Sequence, residues 1–350
     1  MTKNNIKILF LWHGLPAYAL RCIKHVEKLF PDITVVGVRP SVPFTGLDEI
    51  ISKEIIWLDE DKNYELLNIL GKDYDLCIVS GYFYKPFMKY VKETYHSVKH
   101  ILCSDNNFFN IKSFKYRLIA PLFHKFYLSK YFYAAFTPGY SGAKYLNHMG
   151  YKNVYQGLYG SSSEIFYFDK NLHKKEKTIS FVGQLVERKN IIKVCKIFLQ
   201  LEKKYPSWKF NIYGSGRQKN DLEKIILNSK NISLNKFKQP HEIARILRKS
   251  SALILPSRVE HWGLVVHEAA LSGCVLLLSN NVGSIDDLSL PTNSSLFDPN
   301  NNHEIKSSLE WLFNLSDESL KLAATESIRL SKNFGGESFC KSIERIVNEI

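Results

Sequence analysis

Short runs of apolar residues recur along the whole chain and alternate with stretches whose apolar residues lie three or four positions apart. The alternation is clearest in residues 251–279, where an apolar run at 252–256 ends at proline and a second run at 274–278 follows Gly273. Residues 264–272 between them fit one short helix, and glycine commonly caps a helix C-terminus. The pattern predicts a βαβ unit whose loop, 258–263, follows its first strand.

The same alternation predicts a Rossmann-like parallel sheet in each half of the chain, because strands that alternate with helices form α/β sheets. The expected strands include residues 6–12, 33–38, 54–57, 76–80 and 100–103 in the first half, and 179–182, 209–213 and 252–256 in the second. Residues 167–177 are charged and show no periodicity, which predicts a linker there. The expected domains are therefore 1–166 and 178–330, followed by a helical segment at 331–350.

Length and composition fit a globular protein with two domains of ordinary size, since 45% of the 350 residues are hydrophobic. No run approaches the roughly 18 to 20 apolar residues of a membrane span, and the first five residues do not resemble a signal peptide. The six cysteines are scattered without a Cys-x-x-Cys pair, which favours reduced thiols over disulfides or a zinc site. We therefore expect a cytoplasmic protein.

The formal net charge of +13 indicates an anionic partner. Nucleic acid, an anionic membrane and phosphate-bearing substrates all qualify. The sequence has no aromatic RNP pattern or zinc finger, so nucleic acid is not expected as a partner.

Residues 107–136 combine many aromatic residues with Lys112, Lys115, Arg117, Lys125 and Lys130. Aromatic rings anchor proteins at a lipid headgroup layer, and basic side chains bind anionic lipids there. A buried helix pair whose lysines reach water explains the same composition equally well. The segment therefore leaves two interpretations open, peripheral membrane binding and ordinary core packing.

Two glutamates mark the βαβ unit, Glu260 in the loop and Glu268 in the helix. Loops at the carboxyl ends of parallel strands bind ligands in α/β sheets, and the first N–H groups of the helix, at residues 263–265, form an anion site. We expect a diphosphate there, with Glu260 beside it bonding sugar hydroxyls. Glu268 has apolar neighbours and needs polar partners, which ribose hydroxyls would supply. Each glutamate alone is also compatible with an ordinary surface role.

A second phosphate-binding pattern follows the strand at 179–182. Gly183 ends the strand, and Arg188 and Lys189 precede the helix that begins near residue 191. Glycine, cations and a helix N-terminus together suit a phosphate group.

Two residues of the first half also follow predicted strands. Gly14 comes directly after the first strand, either for close approach of a ligand or for a plain tight turn. Asp105 follows the strand at 100–103, and the sequence Asp-Asn-Asn is also common in turns.

The residues from 255 to 273, with Glu260 and Glu268 eight positions apart, closely resemble the signature of retaining, nucleotide-sugar-dependent glycosyltransferases of the GT-B fold. The resemblance is to glycosyltransferase family four, the group 1 type. It implies that Glu260 holds the donor sugar, Glu268 holds the ribose, and Lys189 binds the diphosphate. The other donor-binding residues that it implies are Gly14, Gly183, Arg188, His261, Trp262, Gly263 and Leu264.

The resemblance also implies two Rossmann-like domains facing across a cleft, with the helix at 331–350 crossing back to the first domain. The expected reaction moves a sugar from a nucleotide diphosphate donor to an acceptor hydroxyl with retention at the anomeric carbon. Lys189, Glu260 and Asp105 are the expected catalytic residues, with Asp105 orienting or deprotonating the acceptor hydroxyl. The reaction needs no metal and no cofactor besides the nucleotide-sugar co-substrate.

The sequence departs from the family at Gln184, where an arginine usually follows the glycine. Either Arg188 takes the place of that cation, or the donor site is less cationic than usual. The expected acceptor is a surface glycan or a lipid-linked saccharide, and the expected location is the cytoplasm, including the inner face of the cell membrane. Two other functions remain open: a nucleotide-sugar isomerase or hydrolase on the same fold, and a catalytically silent membrane- or partner-binding module.

Overall fold

The computed structural model describes residues 6–41, 44–108, 114–169 and 175–350, with the backbone alone for 114–118. Residues 1–5, part of the aromatic segment (109–113) and part of the expected linker (170–174) lie outside these ranges. The chain divides into two units, the first formed by Met1–Ser162 with Phe334–Ile350 and the second by Ser163–Asn333. Across the described ranges, no helix is both long enough and apolar enough to span a membrane.

The first unit is built on a seven-stranded parallel sheet with the order β3-β2-β1-β4-β5-β6-β7. Its elements in chain order are β1 (Ile8–Trp12), α1 (Ala17–Leu29), β2 (Ile33–Val38), β3 (Ile55–Leu58), α2 (Leu66–Leu70), β4 (Leu76–Ser80), α3 (Lys85–Thr94), β5 (Lys99–Cys103), α4 (Phe114–Phe123), a π-helical turn (His124–Leu128), β6 (Ala134–Thr137), α5 (Tyr140–His148) and β7 (Val154–Gln156). The central strands are buried on both faces, which explains their uninterrupted apolar runs.

The second unit is built on a six-stranded parallel sheet with the order β10-β9-β8-β11-β12-β13. Its elements are β8 (Glu176–Val182), a 3₁₀ turn (Glu187–Lys189), α6 (Ile191–Leu201), β9 (Lys209–Tyr213), α7 (Lys219–Ile226), β10 (Ile232–Asn235), α8 (Pro240–Lys249), β11 (Ser250–Leu255), α9 (Leu264–Leu271), β12 (Val275–Ser279), α10 (Ile285–Leu288), β13 (Ser294–Phe297), α11 (Asn302–Phe313) and α12 (Asp317–Ser331). The α/β prediction is confirmed, since both units are parallel sheets with helices between the strands.

The last helix, α13 (Gly336–Glu349), belongs to the first unit. Its Phe339 is fully buried, and the ring lies 5.4 Å from that of Phe136 in β6 and 6.3 Å from that of Phe10 in β1. These aromatic contacts fix the C-terminal helix on the first sheet.

Lys175 lies just before β8, within the linker predicted at residues 167–177, and its side chain bonds to the second unit. Its ammonium donates hydrogen bonds to the carbonyl oxygens of Leu247 (3.1 Å), Ser250 (2.8 Å) and Ser272 (2.7 Å). These carbonyls end α8 and α9, where a cation is favoured by the helix dipole. The charge at 175 is therefore a structural contact within the second unit, and β8 begins at Glu176 rather than near 179.

His267 makes the stability of the second unit depend on pH. It is fully buried in α9, and its Nε2 lies 2.9 Å from the carbonyl oxygen of Ser331. Burial, only partly opposed by that hydrogen bond, lowers the pKa of His267 from 6.5 to about 4. Below the ordinary pKa the unfolded chain binds a proton that the folded protein does not, so the free energy of unfolding should fall as the pH drops from about 6.5 to about 4.

Between about pH 6.5 and about pH 4, we expect His267 to lower the free energy of unfolding by up to about 3 kcal/mol. The variant His267→Gln should lack this contribution. Urea denaturation followed by tryptophan fluorescence at several pH values measures the difference. His303→Gln, at an exposed position in α11, is the matched control and should keep the wild-type pH dependence. Equal pH dependence in the wild type and His267→Gln would contradict the assignment.

Candidate functional site

The second sheet has a topological switch point between β8 and β11. These strands are neighbours, but the chain continues from β8 towards β9 on one side and from β11 towards β12 on the other. Ligands of open α/β sheets bind outside the carboxyl ends of the strands at such a point. The residues that follow β8 and β11 include most of the predicted donor-binding residues.

Glycines bring the backbone segments after β8 and β9 into close contact. A Cβ atom on Gly214 would lie 1.9 Å from the carbonyl oxygen of Gly183, and one on Gly216 would lie 2.5 Å from that of Leu185. A Cβ on Gly183 would lie 3.7 Å from Cε of Lys189. The backbone segments can therefore approach this closely only because residues 214 and 216 lack side chains, whereas a Cβ at position 183 would make an ordinary van der Waals contact.

The 3₁₀ turn at Glu187–Lys189 places Lys189 at the start of α6. The turn ends at Asn190, which adopts a left-handed conformation (φ 56°) and donates a hydrogen bond of 2.8 Å from Nδ2 to the carbonyl oxygen of Pro299. Left-handed backbone is uncommon outside glycine, and asparagine tolerates it better than most residues. The turn buries Lys189, whose exposed fraction is 7%.

Lys189 and Glu260 form a buried ion pair at the switch point. The ammonium of Lys189 donates to Oε2 of Glu260, and both side chains are only 9% exposed. The same oxygen accepts a 2.8 Å hydrogen bond from the Ser257 hydroxyl and lies 3.7 Å from Nη1 of Arg188. Two cations and one carboxylate thus meet at the carboxyl ends of adjacent strands.

The neighbouring charges keep Glu260 ionised. Burial by itself raises the pKa of Glu260, but the charges of Lys189 and Arg188 and the hydrogen bonds from Lys189 and Ser257 together hold that pKa below its ordinary value. Burial lowers the pKa of Lys189, against the attraction of Glu260. A carboxylate that is charged at neutral pH can accept hydrogen bonds from hydroxyl groups but cannot serve as a proton donor.

Backbone hydrogen bonds fix the loop that carries Glu260. The N–H of Glu260 donates to the carbonyl oxygen of Asn281 (3.2 Å), and Nδ2 of Asn281 donates to that of Arg258 (2.8 Å). The N–H of Arg258 in turn donates to the carbonyl oxygen of Arg188 (2.7 Å). The loop after β11 is therefore bonded both to the loop after β12 and to the turn that carries Lys189.

The entry to α9 lies beside Glu260. Gly263 has a left-handed conformation (φ 86°), and a Cβ there would lie 3.3 Å from Cγ of Glu260. Leu264 is the first helical residue, and the N–H of Val266 already donates to the carbonyl oxygen of Gly263 (2.8 Å). The preceding N–H groups of the first turn are the ones that can bind an anion.

The remaining predicted residues of this loop and helix differ in exposure. Trp262 is buried and donates a 2.7 Å hydrogen bond from Nε1 to Asp287 at the start of α10. His261, Leu264 and Glu268 are half-buried. Glu268 lies in the middle of α9 between the buried residues Val266 and Ala269. The helix thus places a carboxylate about one turn from the N-terminal anion site.

Sequence reasoning missed three residues that shape this site: Ser257, Asn281 and Asp287. Ser257 lies three residues before Glu260, a spacing that suits a turn in which its hydroxyl reaches the carboxylate. Asn281 and Asp287 have no local signal, because each contacts the loop after β11 from more than twenty residues away. At position 184, where the family usually has an arginine, Gln184 is exposed. Arg188 lies near Glu260, so the site contains two cations, Lys189 and Arg188.

Two predicted residues lie in the first unit, at the carboxyl end of its sheet. Gly14 follows β1 with a left-handed conformation (φ 63°), at the switch point between β1 and β4. Asp105 follows β5, and its Oδ2 accepts a 3.0 Å hydrogen bond from the hydroxyl of Tyr159. Both positions suit ligand contact in a parallel sheet.

The buried ion pair gives a stability prediction. Removing either charge leaves the other one buried without its counter-ion. Lys189→Met and Glu260→Gln should therefore each lower the free energy of unfolding by about 3 to 5 kcal/mol. The double variant should lose less than the sum of the two, as measured by urea denaturation. Lys204→Met, in the exposed pair with Glu310 (2.9 Å), is the control and should have no measurable effect. Strictly additive losses would show that the two side chains are not coupled.

Comparison with known proteins agrees with this architecture. Residues 163–327 match the family model for glycosyl transferases group 1. The chain is 29% identical over 178 residues to an uncharacterized glycosyltransferase of Haemophilus influenzae, covering 50% of this chain and 48% of that protein. The chain thus spans about half the length of the curated relative that it matches.

Two solved structures are similar over 99% of this chain. Anabaena Alr3699/HepE in complex with UDP and glucose matches with a TM-score of 0.76, 13% identity and 100% of that chain covered. Sucrose-phosphate synthase from Thermosynechococcus elongatus matches with a TM-score of 0.75, 12% identity and 99% of that chain covered. These likenesses show the fold alone and confirm the predicted GT-B class. Residues 163–327, which lie in the second unit, are thus similar to the glycosyl transferases group 1 family.

Proposed function

We propose that the protein transfers a sugar from a nucleoside-diphosphate donor to an acceptor hydroxyl, with retention of configuration at the anomeric carbon. The observation that carries the proposal is the buried Lys189–Glu260 pair at the switch point of the second sheet, beside the N-terminus of α9. The site offers cations and N–H groups for a diphosphate next to an ionised carboxylate for sugar hydroxyls. Retention follows the resemblance of residues 255–273 to retaining enzymes.

The leaving group determines what the site must stabilise. As the bond between the anomeric carbon and the phosphate oxygen breaks, its electron pair stays on the diphosphate, which gains negative charge. Lys189, Arg188 and the first N–H groups of α9 are held in place before the reaction, as electrostatic catalysis requires. These groups supply positive charge directly, so the proposed reaction needs no metal ion.

Glu260 and Glu268 have different proposed roles. Glu260 is ionised and packs against Lys189, so it accepts hydrogen bonds from hydroxyls of the donor sugar. Glu268, farther along α9, accepts hydrogen bonds from the ribose. In the first unit, Asp105 orients or deprotonates the acceptor hydroxyl, and Tyr159 holds one of its carboxylate oxygens.

The proposed acceptor is a growing surface glycan or a lipid-linked saccharide, and the proposed location is the cytoplasm and the inner face of the cell membrane. The complex of HepE with UDP and glucose makes uridine diphosphate sugars the first donors to test. Consumption of the donor without an acceptor would indicate a hydrolase or an isomerase instead.

Donor binding is tested by thermal shift of the full chain against UDP-, GDP-, ADP- and CMP-sugars. A ligand at about a hundred times its dissociation constant should add about 2.7 kcal/mol of stability. We expect one class of nucleotide to stabilise the protein clearly above the others. A folded sample that responds to none of them would contradict the proposal.

The different roles of the two glutamates can be distinguished by titration calorimetry. The affinity for the nucleoside diphosphate alone, which lacks the sugar, is measured for a variant of each glutamate. Glu268→Gln should weaken its binding by about ten- to a hundredfold, because a charge-assisted contact to the ribose is lost. Glu260→Gln should affect sugar transfer far more than nucleotide affinity. Glu318→Gln, at an exposed position in α12, should change neither quantity. Equal nucleotide affinity in Glu268→Gln and the wild type would refute the ribose role.

Metal independence is tested separately. Initial rates of transfer should be unchanged when the protein is dialysed against EDTA and assayed with EDTA present. A loss of rate that magnesium or manganese restores would contradict a scheme in which Lys189, Arg188 and the first N–H groups of α9 neutralise the leaving diphosphate without a metal ion.

A further inference from the structure

An exposed apolar stripe runs along the end of α4 and the π-helical turn that follows it. It consists of Ile119, Leu122, Phe123 and Phe126, whose exposed fractions are 59%, 56%, 47% and 71%. The four positions follow the i, i+3, i+4, i+7 spacing, which places side chains on one face of a helix. The stripe is therefore a continuous apolar surface in water, which in soluble domains usually marks an interaction site.

The opposite side of this segment is firmly packed. His124 and Leu128 are buried, and Ala120 packs against the core of the first unit. Nδ1 of His124 lies 3.3 Å from the hydroxyl of Tyr151. Because these inward-facing residues are packed against the first unit, the stripe on the opposite side of the segment faces solvent. The interpretation of this segment as a buried helix pair therefore does not hold for Phe123 and Phe126.

The segment of the sequence that contains the stripe has charged residues of one sign only. Between Asp105 and Glu164 the sequence contains no aspartate or glutamate. It contains seven basic residues there: Lys112, Lys115, Arg117, Lys125, Lys130, Lys144 and Lys152.

Two of the basic side chains lie directly against the aromatic rings. Nζ of Lys125 is 5.7 Å from the ring centre of Phe126, and Nζ of Lys130 is 5.1 Å from that of Tyr127. From the neighbouring helix α3, Lys92 approaches the Tyr127 ring at 5.4 Å. Since the Tyr127 ring stacks on that of Phe123 at 5.2 Å, all three lysines lie beside the stripe or beside an aromatic ring in contact with it.

We infer that this surface, the stripe with Lys92, Lys125 and Lys130, binds an anionic lipid bilayer. Apolar side chains enter the boundary between headgroups and acyl chains, while lysines contact the lipid phosphates. Ile119 and Leu122 are aliphatic and cannot stack on bases, which argues against single-stranded nucleic acid. A second copy of the chain would bring the same cations face to face, which argues against a dimer through this surface.

The inference goes beyond the proposed sugar transfer and does not depend on it. Vesicle binding needs no donor, and donor binding to the second unit needs no vesicle. The proposals of membrane binding and of sugar transfer can therefore be refuted independently.

The test is co-sedimentation of the full chain with vesicles of phosphatidylcholine, with and without phosphatidylglycerol, at about 0.15 M salt. We expect binding to the anionic vesicles at least about tenfold stronger than to the neutral ones. The double variants Leu122→Ser/Phe126→Ser and Lys125→Glu/Lys130→Glu should each weaken that binding by about tenfold or more.

Matched controls come from the second unit. Leu227→Ser/Leu322→Ser removes two leucines that are also exposed, and Lys203→Glu/Lys224→Glu reverses the charge of two exposed lysines; both variants should bind anionic vesicles like the wild type. All four variants should keep the wild-type thermal shift with the nucleotide sugar, which separates a lost surface from a lost fold.

Three outcomes would overturn the inference: no binding by the wild type, full binding by Leu122→Ser/Phe126→Ser, or equal losses in the controls. Conversion of a dimer to a monomer by the stripe variants, without any vesicle binding by the wild type, would assign the surface to a second copy instead.

Discussion

The candidate site of the second unit is centred on one buried ion pair, between Lys189 and Glu260. Moving an ammonium and a carboxylate out of water costs several kcal/mol per ion, and the pair repays this only with close geometry and further hydrogen bonds. Ser257 and Arg188 provide those additional contacts. Hydrophobic residues of similar volume would stabilise the fold at least as well, so the pair is better explained by ligand binding than by stability.

Two backbone conformations and one backbone hydrogen bond position the two charges next to each other. Asn190 adopts a left-handed conformation to bury Lys189 at the start of α6, and Gly263 does the same so that α9 can begin against Glu260. The hydrogen bond from the N–H of Arg258 to the carbonyl oxygen of Arg188 joins the two segments. A left-handed conformation at a non-glycine residue such as Asn190 persists where the surrounding structure holds it, and such residues concentrate at functional sites. A rigid charged site suits a reaction whose main demand is stabilisation of a leaving anion.

The sequence predicted the buried strands well, because an uninterrupted apolar run such as residues 252–256 has few other solutions in an α/β protein. It also predicted that the donor-binding residues follow β8 and β11, where the structure brings Lys189 and Glu260 together. It could not show that Lys189 and Glu260 bond to each other across 71 positions, nor that Lys175 bonds to carbonyl groups more than seventy residues away. Such contacts depend on tertiary packing, and neither periodicity nor local motifs record it. For the aromatic segment at 107–136 the sequence left both membrane binding and core packing open, since composition alone does not separate a buried aromatic helix from one with exposed residues such as Ile119 and Phe126.

The most direct test of the central claim is a crystal structure of the full chain with the nucleotide sugar that stabilises it most. We expect diphosphate oxygens within hydrogen-bonding distance of Nζ of Lys189 and the N–H of Leu264, with sugar hydroxyls at Glu260 and the ribose at Glu268. A donor bound away from the carboxyl ends of β8 and β11, with the Lys189–Glu260 pair untouched, would contradict it.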